Sequence, residues 1–463
     1  MSFGLPAASF RPPTLQESCA ADSTCWRSSS SNWVLLQQLS YTSKRRNATT
    51  AECKTSDGQV VAVSFWLVDP PGVSYFTVFC PGLKEGDDYD SYSHCDALVI
   101  CAEGAHVPFG LTFHSPWNML YHYFVYSAGP GKPSLDLLPD PNIRGFVAEQ
   151  FGLLPCSGGH YAVAYLNWIP NDGGEPWQFD AHVFSSETRG WTARRASQSL
   201  SESHKLLLEY HDNSKQIMVG ADSLGWVDIT RGILLITKLF DEHPVVQYIP
   251  VPKPRVCTTD EDGGTFYCAS LPEYIRDVTC CNGLIKLVDI DIYEGDDGIV
   301  EGWVATTFTR MVSWDDWRRR FTVDVAGITV DPRYRALLPE LWNDETKELE
   351  LKKLDFYGST LSTQDDDLVY IMTRVKDEHD NACVIAIDMK RASVKALAPF
   401  SDQGRRCIET YCPCAFPKYI NTATADTRVM VPSFSYGYSG ILCLVLLLSL
   451  LLNACLIWRT FMC

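Results

Sequence analysis

Cys156, Ser157 and His160 come nearest, among the residues of this chain, to a nucleophilic site. A thiol or hydroxyl attacks a carbonyl when a nearby histidine accepts its proton. The segment that holds them, CSGGHYAVAY, also has the pattern of a tight turn entering a strand, because its two glycines can take the positive φ that such a turn needs. We interpret the segment as a turn, with the nucleophile as the alternative, and assign no catalytic residue.

Three cysteines within eight residues, Cys407, Cys412 and Cys414, are the best candidates for zinc ligands. A closed zinc site needs four ligands and usually a C-x2-C pair, and neither a histidine nor another cysteine lies nearby to complete the set. The adjacent Cys280 and Cys281 would point to opposite faces of a strand, where they could not easily share an ion. We therefore predict no metal ligands and a cysteine-rich loop around residues 407–414.

A group of histidines and an acidic run are the remaining candidates for a metal site. Spacings of twelve, eight and eight residues, which match no ligand motif, separate His94, His106, His114 and His122. The run Asp289–Asp297, DIDIYEGDD, alternates carboxylates as a calcium loop does, but the glycine and glutamate that such a loop requires are misplaced. We predict a solvated hairpin there and no cofactor.

The charge balance excludes one class of partner. Aspartate and glutamate exceed lysine and arginine by 56 to 39, which gives a formal net charge of -17. Such a field repels the phosphates of nucleic acids, so we predict no nucleic-acid binding. Short charge clusters, which we expect to be solvated surface, occur at residues 44–46, 318–320 and 365–367. Phosphate-loop, dinucleotide and nucleophile-elbow signatures are absent from the sequence.

Strands must position whatever site the chain has. Apolar or alternating runs of five to eight residues, separated by Gly, Pro, Asn and Asp, fill the sequence from residue 32 to 415. Typical strands are predicted at Val60–Leu67, Ser74–Phe79, Ala97–Ile100 and Tyr161–Leu166. Helical periodicity is nearly absent, and its one candidate, Arg335–Leu349, is interrupted by Pro339. We predict an all-β domain at residues 32–415.

A weak internal repetition indicates how these strands are arranged. Segments of related pattern, each with several strands and turns, lie at residues 161–196, 216–252, 278–325 and 367–400. A recurring unit of three or four antiparallel strands at this spacing is typical of a propeller blade. We predict a propeller-like array, with a pair of β-sandwiches as the alternative.

Motifs spread over residues 32–400 resemble a plant family known mainly from grasses, the domain of unknown function 1618 family. They are WVLL at 33–36, NATT at 47–50, VSYF at 73–76, GWVDITRGIL at 225–234, YIPVPKP at 248–254, IRDVT at 275–279, NGLIK at 282–286, GW at 302–303, ATT at 305–307 and LLPEL at 337–341. The resemblance implies a fold similar to the propeller-like domains of plant F-box proteins. It implies no chemistry and no catalytic residue, and no F-box is visible at the amino terminus.

The amino-terminal segment predicts the compartment. Residues 1–31 are rich in Ser, Pro and Ala, and have neither a basic region nor a continuous apolar run, so we expect a disordered segment and no signal peptide. The bulk of the chain should then be cytosolic, where its 18 cysteines are free thiols. The pattern Asn47-Ala48-Thr49, which matches a glycosylation acceptor, should stay unmodified there.

The carboxyl-terminal segment predicts a membrane anchor. Gly440–Trp458 is an apolar run without a charge, and as a helix it would be about 28 Å long, close to the hydrocarbon thickness of a bilayer. We predict a linker at 416–439, a single transmembrane helix at 440–458 and a short tail at 459–463. An apolar helix docked into the globular part is the alternative, and a terminal helix of this kind departs from the pattern of the resembled family.

The expected function follows from these features. We expect an uncharacterised β scaffold, anchored at a membrane by its C-terminal helix, that acts as a protein-interaction module for a protein partner. The alternative is an enzyme, a hydrolase or lyase, with its site in the channel of the propeller. A purely structural or degenerate duplicate is the third class.

Overall fold

The computed structural model describes most of the chain between residues 32 and 420. The described ranges are 32–81, 95–115, 118–129, 131–140, 150–169, 177–254, 258–259, 265–266, 272–294, 300–336, 341–346, 348–364, 366–374, 381–401 and 411–420. The chain divides into two compact units, residues 1–422 and 423–463, and the second lies wholly outside the described ranges. The predicted segment 1–31 lies outside them too.

Strands account for most of the described residues. In chain order they are β1 (Val34–Gln37), β2 (Tyr41–Thr42), β3 (Ala51–Lys54), β4 (Val60–Trp66), β5 (Val73–Phe79), β6 (Cys95–Val99), β7 (His106–Ser115), β8 (Asn118–Ser127), β9 (Ser134–Leu137), β10 (Gly152–Pro155), β11 (Tyr161–Ile169), β12 (Gln178–Ser185), β13 (Gly190–Ser199), β14 (Lys215–Gly220), β15 (Ser223–Asp228), β16 (Gly232–Thr237), β17 (Val245–Pro250), β18 (Thr258–Thr259), β19 (Thr265–Phe266), β20 (Arg276–Cys281), β21 (Leu284–Glu294), β22 (Val300–Met311), β23 (Arg318–Asp324), β24 (Trp342–Asn343), β25 (Glu348–Leu349), β26 (Asp355–Leu361), β27 (Leu368–Arg374), β28 (Asn381–Asp388), β29 (Ser393–Ser401) and β30 (Tyr411–Cys414). The α-helices with both ends in the described ranges are α1 (Glu202–Glu209) and α2 (Pro272–Ile275), and residues 417–420 are also helical. Short 3-10 turns lie at Ser157–Gly159, Val325–Gly327, Pro332–Ala336 and Leu351–Lys353.

Antiparallel meanders, in which each strand pairs with the next, make up five of the six larger sheets, and sheet 1 also contains parallel pairings. We call them sheet 1 (β3-β4-β5-β1-β30, with β2 beside β5), sheet 2 (β6–β9), sheet 3 (β10–β13), sheet 4 (β14–β17), sheet 5 (β20–β23) and sheet 6 (β26–β29). Sheets 3 and 4 are continuous through a parallel pairing of β13 with β17. Two small hairpins, β18-β19 and β24-β25, stand apart from them.

Sheet 1 brings the two ends of the described chain together. β1 runs parallel to β5 and antiparallel to β30, and Leu36 lies opposite Cys412 across that pairing. The first and last of the described strands are therefore direct neighbours.

Tight turns with the expected chemistry connect the strands. Between β20 and β21, Asn282 and Gly283 both have positive φ, 51° and 76°, as a two-residue hairpin turn requires. The Asn-Gly pair thereby sets the register in which Cys281 faces Leu284. Apolar residues then fall on alternating faces of the longer strands.

Buried apolar clusters fill the space between successive sheets. Their members come from sheets 1 and 2, 2 and 3, 3 and 4, 4 and 5, 5 and 6, and finally 6 and 1. Two buried tryptophans reinforce this packing: Trp226 donates its indole N–H to the carbonyl of Gln150 at 2.7 Å, and Trp303 donates to that of Leu351 at 3.0 Å. Each described sheet thus packs on two others.

The predicted all-β class is confirmed, and so are the four predicted strands, which correspond to β4, β5, β6 and β11. The helical candidate Arg335–Leu349 was wrong: its described residues contain the end of a 3-10 turn and the strands β24 and β25. Instead α1 forms a helix, because Ser201 caps its amino end by accepting from the backbone N–H of His204 at 3.2 Å.

The carboxyl-terminal predictions fall mainly outside the described residues. The expected linker 416–439 begins inside the core, since Phe416 and Ile420 are buried between sheets 1 and 2. Residues 421–439, the predicted span Gly440–Trp458 and the tail 459–463 are not among those described. Within the described ranges, no helix combines the length and the apolar character that crossing a bilayer requires.

Candidate functional site

Ionisable side chains from three sheets meet where the first strands of those sheets lie side by side. Lys215 begins β14 in sheet 4, and Asp277 lies on β20 in sheet 5. The Lys215 ammonium donates to one carboxylate oxygen of Asp277 at 2.8 Å, and the other oxygen accepts from the backbone N–H of Leu361 in sheet 6 at 2.7 Å. Both carboxylate oxygens of the buried Asp277 therefore have a partner, while the Lys215 side chain remains partly exposed.

Glu103 completes the cluster from sheet 2. It follows β6 in a turn closed by two backbone hydrogen bonds to His106, of 3.0 and 3.1 Å. Gly104 makes this turn possible, because its φ is +59° and a Cβ there would lie 2.9 Å from the ring of Pro155. The turn directs the Glu103 carboxyl toward the backbone N–H of Met218 on β14.

The environment of Glu103 makes its carboxyl group unusual. Burial raises its pKa to about 7, although the N–H of Met218 and the charge of Lys215 both favour the ionised form. Because Lys215 is ion-paired with Asp277, Glu103 has no ion pair of its own among the described residues. A carboxyl group with this pKa can gain or lose a proton at neutral pH.

Cysteine thiols surround this carboxyl group. Burial raises the pKa of Cys280 to about 12, and raises the pKa of Cys101 and Cys414 well above the usual range. The Glu103 charge contributes to each of these shifts. These thiols are therefore protonated at neutral pH, and they line the site as weakly polar groups rather than as nucleophiles.

We call the set Glu103, Lys215, Asp277 and Cys280 the central cluster. It contains the Lys215 ammonium, the Asp277 carboxylate that this ammonium neutralises, and the Glu103 carboxyl group, which is close to half-ionised at neutral pH. Such an arrangement can bind a further cation or exchange a proton.

The structure places the predicted nucleophile segment in a turn. Gly158 and Gly159 have φ of +70° and +80°, and the backbone N–H of Cys156 bonds to the carbonyl of His160 at 2.8 Å. The His160 ring lies 3.5 Å from the hydroxyl of Ser186. Burial raises the pKa of the Cys156 thiol, the opposite of what activates a nucleophile.

The predicted metal candidates are dispersed. Cys412 and Cys414 lie on β30, whereas Cys407 is outside the described ranges, as is His94. His106 is buried with its Nδ1 2.8 Å from the hydroxyl of Ser127. Within the part of the chain that the structure describes, no three His, Cys, Asp or Glu side chains form a group that could hold a metal ion.

One residue of the acidic run differs from the prediction of a solvated hairpin. Asp289 is buried and pairs with the guanidinium of Arg276 at 3.0 Å, while residues 295–299 lie outside the described ranges. The central cluster itself was missed, because Lys215 and Asp277 are 62 residues apart and ordinary in type. Both residues lie at the start of the first strand of their sheet, and this shared position was the only feature that could have indicated the cluster.

The comparison with protein families supports the resemblance seen in the motifs. Residues 226–370 match the family described as "Protein of unknown function (DUF1618)". The similarity to DUF1618 therefore covers about a third of the chain. The matched DUF1618 segment runs from β15 to β27 and so contributes Asp277 and Cys280 to the central cluster, whereas Glu103 and Lys215 come from outside it.

Other comparisons add no function to the DUF1618 match. No curated protein matches the chain. Among solved structures, a glycosyl hydrolase from Bacteroides ovatus is 8% identical with a TM-score of 0.26, over 65% of this chain and 82% of that one. A lipopolysaccharide binding protein is 6% identical with a TM-score of 0.09, over 76% of this chain and 77% of the other. Similarity at this level carries no argument about fold or activity.

Proposed function

We propose that this chain is a propeller-like interaction scaffold that binds a basic group of a protein partner beside Glu103. The observation that carries the proposal is the single cation of the central cluster: Lys215 pairs with Asp277 and, within the described ranges, leaves Glu103 next to it without an ion pair of its own. A protonated amine from a partner would supply the missing charge. The net charge of -17 would also attract a basic partner over a distance.

The propeller arrangement is part of this proposal. Its support is the order of the buried clusters, which join each sheet to the next and sheet 6 back to sheet 1. The pairing of β1 with β30 within sheet 1 supports ring closure in the same way. In a propeller, the first strands of the blades line the centre, which is where the central cluster would lie.

Titration calorimetry with a blocked oligolysine peptide tests the binding proposal. Binding should be about tenfold weaker at pH 6 than at pH 8, because only about one carboxyl in ten is ionised one unit below its pKa. Glu103→Gln should weaken binding at pH 8 and remove this pH dependence. The matched control is Glu187→Gln, at an exposed turn of sheet 3, which should bind as the unaltered protein does. Equal binding by the Glu103 variant would refute the proposal.

An enzyme is the second candidate, and one observation favours it. The pKa of Glu103, about 7, suits a general acid or base at neutral pH. A screen of hydrolase and lyase substrates, run with the unaltered protein and with Glu103→Gln, separates the two functions. Turnover that the variant loses, without oligolysine binding, would favour the enzyme.

We also propose that residues 440–458 anchor the chain in a membrane as a single span, with the bulk of the chain cytosolic. The support is the uncharged apolar run itself. The protein should resist extraction with alkaline carbonate, and replacing Leu447 and Leu448 with Arg should release it, since each central Arg costs about 2.5–3.5 kcal/mol on the insertion scale.

Asn47 reports on the orientation of this anchor. Its side-chain N–H donates to the carbonyl of Phe65 at 2.8 Å, and its Oδ1 accepts from Thr49 at 2.8 Å, so the amide is engaged within sheet 1. Mass spectrometry of the native protein should find Asn47 without a glycan. A glycan there would place the domain on the lumenal side and contradict the proposed orientation.

A further inference from the structure

The Lys215 ammonium is a potential ion-pair partner of Glu103 inside the protein itself. Both groups lie beside β14: Lys215 begins the strand, and the Glu103 carboxyl group accepts from the backbone N–H of Met218 in the same strand. The charge of Lys215 acts on Glu103 and favours its ionised form. An ammonium this close to a carboxyl group would be expected to pair with it. Within the described ranges, Lys215 pairs elsewhere and Glu103 has no ion pair.

Asp277 binds Lys215 and is itself fixed by a third sheet. Its Oδ1 accepts from the Lys215 ammonium at 2.8 Å, and its Oδ2 accepts from the backbone N–H of Leu361 in sheet 6 at 2.7 Å. The Asp277 side chain is only 7% exposed, so it has little freedom to turn away. Charge-assisted hydrogen bonds of this kind are short and strong. The position of the Lys215 ammonium is therefore set by sheets 5 and 6.

A second cation near the central cluster is held by other groups. Lys286, on β21, acts through its charge on the Cys280 thiol. Its ammonium donates to the carbonyls of Gln364 at 2.8 Å and Asp366 at 3.0 Å. Because these acceptors are neutral backbone groups, the position of Lys286 does not depend on a carboxylate of the central cluster.

Thiols are the other ionisable groups that interact with Glu103. Burial raises the pKa of three of them and keeps them protonated at neutral pH: Cys101, Cys280 and Cys414. They carry no charge that could hold or repel the Lys215 ammonium. The pairing of that ammonium is therefore decided between two carboxyl groups, those of Asp277 and Glu103.

We propose that Asp277 is the positioning residue of the cation site: by binding Lys215, it keeps that ammonium away from Glu103 and leaves Glu103 for a basic group of the partner. The inference rests on the proposed function of Glu103 and adds the residue that keeps it available. Without the charge of Asp277, Lys215 pairs with Glu103 instead. The amine of a partner would then have to displace an internal cation.

Carbon-13 NMR of the carboxyl groups of the whole protein tests this role without any partner. The Glu103 signal is the one that Glu103→Gln lacks, and a pH titration gives its pKa. Asp277→Asn keeps an oxygen that can accept from the Leu361 N–H but removes the charge. In this variant the pKa of Glu103 should fall from about 7 by at least about one unit, because an ammonium paired with a carboxylate favours the ionised form.

The same variant should change the binding of the blocked oligolysine peptide. At pH 8, Asp277→Asn should bind the peptide about tenfold more weakly than the unaltered protein, because one unit of pKa corresponds to a factor of ten in the competing ion pair. Its binding should also differ little between pH 6 and pH 8, because Glu103 would be largely ionised at both. The unaltered protein should lose affinity over the same range.

The double variant Asp277→Asn with Lys215→Gln decides between a charge effect and damage to the fold. It removes both members of the ion pair, so the pKa of Glu103 and the peptide affinity at pH 8 should return at least to the values of the unaltered protein. A second substitution would not repair a damaged fold. The control is Asp289→Asn, at another buried carboxylate of sheet 5, which pairs with Arg276 at 3.0 Å. It should lose stability and leave the pKa of Glu103 unchanged.

The two proposals fail in different ways. If the unaltered protein does not bind the peptide, the proposed function of Glu103 is refuted, and the NMR titration still decides whether Asp277 controls its charge. If the unaltered protein binds the peptide, but Asp277→Asn keeps both its affinity and the pKa of Glu103, the positioning role of Asp277 is refuted. Asp277→Ser, which also keeps an uncharged acceptor, replaces the asparagine variant if that variant does not fold.

Discussion

At the scale of single residues, Arg276 is the side chain whose removal should cost most. It is fully buried, pairs with Asp289 at 3.0 Å, and donates to the carbonyls of Ile229 at 2.9 Å and Pro252 at 2.7 Å. It therefore links sheet 5 to sheet 4 by charge and by hydrogen bonds. Removing one partner of a buried ion pair leaves the other charge uncompensated.

We predict that Arg276→Ala lowers the free energy of unfolding by about 3–5 kcal/mol. Urea denaturation followed by tryptophan fluorescence measures the change. Arg335→Ala is the control, because its pair with Asp344 is exposed on both sides and should contribute at most about 1 kcal/mol. Similar losses in the two variants would show that burial does not decide the strength of these pairs.

Glu103 should make the stability of the protein depend on pH. Its pKa in the folded state is raised to about 7, so the folded protein holds this proton where the unfolded chain has lost it. The contribution of Glu103 to the free energy of unfolding is thus greatest below the pKa that Glu103 has in the unfolded chain, and it falls as pH rises toward 7. The group is partly exposed, which limits the effect to about 1–3 kcal/mol.

Glu103→Gln should therefore unfold at higher urea than the unaltered protein at pH 8, and the two should converge near pH 4. Parallel urea titrations at both pH values check this sign. A variant that is less stable at pH 8 would mean that the ionised carboxylate stabilises the fold, contrary to the geometry of the central cluster. Higher stability together with weaker oligolysine binding would be typical of a functional residue.

At the scale of elements, one turn recurs in two sheets. Asp228 ends β15 and accepts from the backbone N–H groups of Thr230 at 2.8 Å and Arg231 at 2.9 Å. Asp388 ends β28 and accepts from those of Lys390 at 3.1 Å and Arg391 at 2.9 Å. In both turns the arginine returns to the same carboxylate, at 3.2 Å and 2.8 Å.

We predict that Asp388→Ala lowers the free energy of unfolding by about 1–2 kcal/mol at pH 7, because two backbone donors lose a charged acceptor. Partial burial acts to raise the pKa of Asp388, but hydrogen bonds from Arg391 and the backbone outweigh it and lower that pKa. The stabilisation is therefore present above the unfolded pKa and lost as pH falls through the folded one. Chemical denaturation should show a smaller difference at pH 3 than at pH 7.

Asp388→Asn is the matched variant for this turn. It keeps an oxygen that can accept from Lys390 and Arg391 but removes the charge. We expect it to recover at least half of the stability that alanine loses. If the asparagine and alanine variants are equally destabilised, the turn is stabilised by the ion pair with Arg391 and not by the hydrogen bonds from the backbone.

At the scale of the whole molecule, the ring closure that the propeller proposal requires would depend on the pairing of β1 with β30. Leu36 lies opposite Cys412 and contacts the same apolar cluster, while Leu35 lies opposite Pro413 and packs on the other side. A cysteine at position 36 would therefore face an existing thiol. A cysteine at position 35 would not.

We predict that Leu36→Cys forms a disulfide with Cys412 on mild oxidation and that Leu35→Cys does not. A bond closing so long a loop should stabilise the protein by about 6 kcal/mol on the chain-entropy model, less whatever the loss of the leucine costs. Non-reducing electrophoresis after limited proteolysis, with mass spectrometry of the linked peptide, checks the bond. An absent link, or an equal yield from the position-35 variant, would contradict the ring closure that the propeller proposal requires.

The sequence alone determined the strand class, the resemblance to the DUF1618 family and the turn between β20 and β21. Short apolar runs such as those at β4 and β11 predict buried strands, and the Asn282-Gly283 pair specifies its own turn, because both signals come from residues near in the chain. The hydrophobic pattern of the sequence did not predict α1, because a helix of eight residues with one buried leucine has little periodicity. The cap at Ser201 was the only local signal.

Only the tertiary structure decided the central cluster. Lys215 meets Asp277 and Glu103 because sheets 2, 4 and 5 bring their first strands together, and no local pattern encodes a contact across 62 residues. His211 likewise looks like an ordinary loop residue, yet the fold places its Nδ1 3.2 Å from the Tyr248 hydroxyl. The raised pKa of Glu103 arises from desolvation, which depends on what packs nearby in space and not on neighbours in the chain.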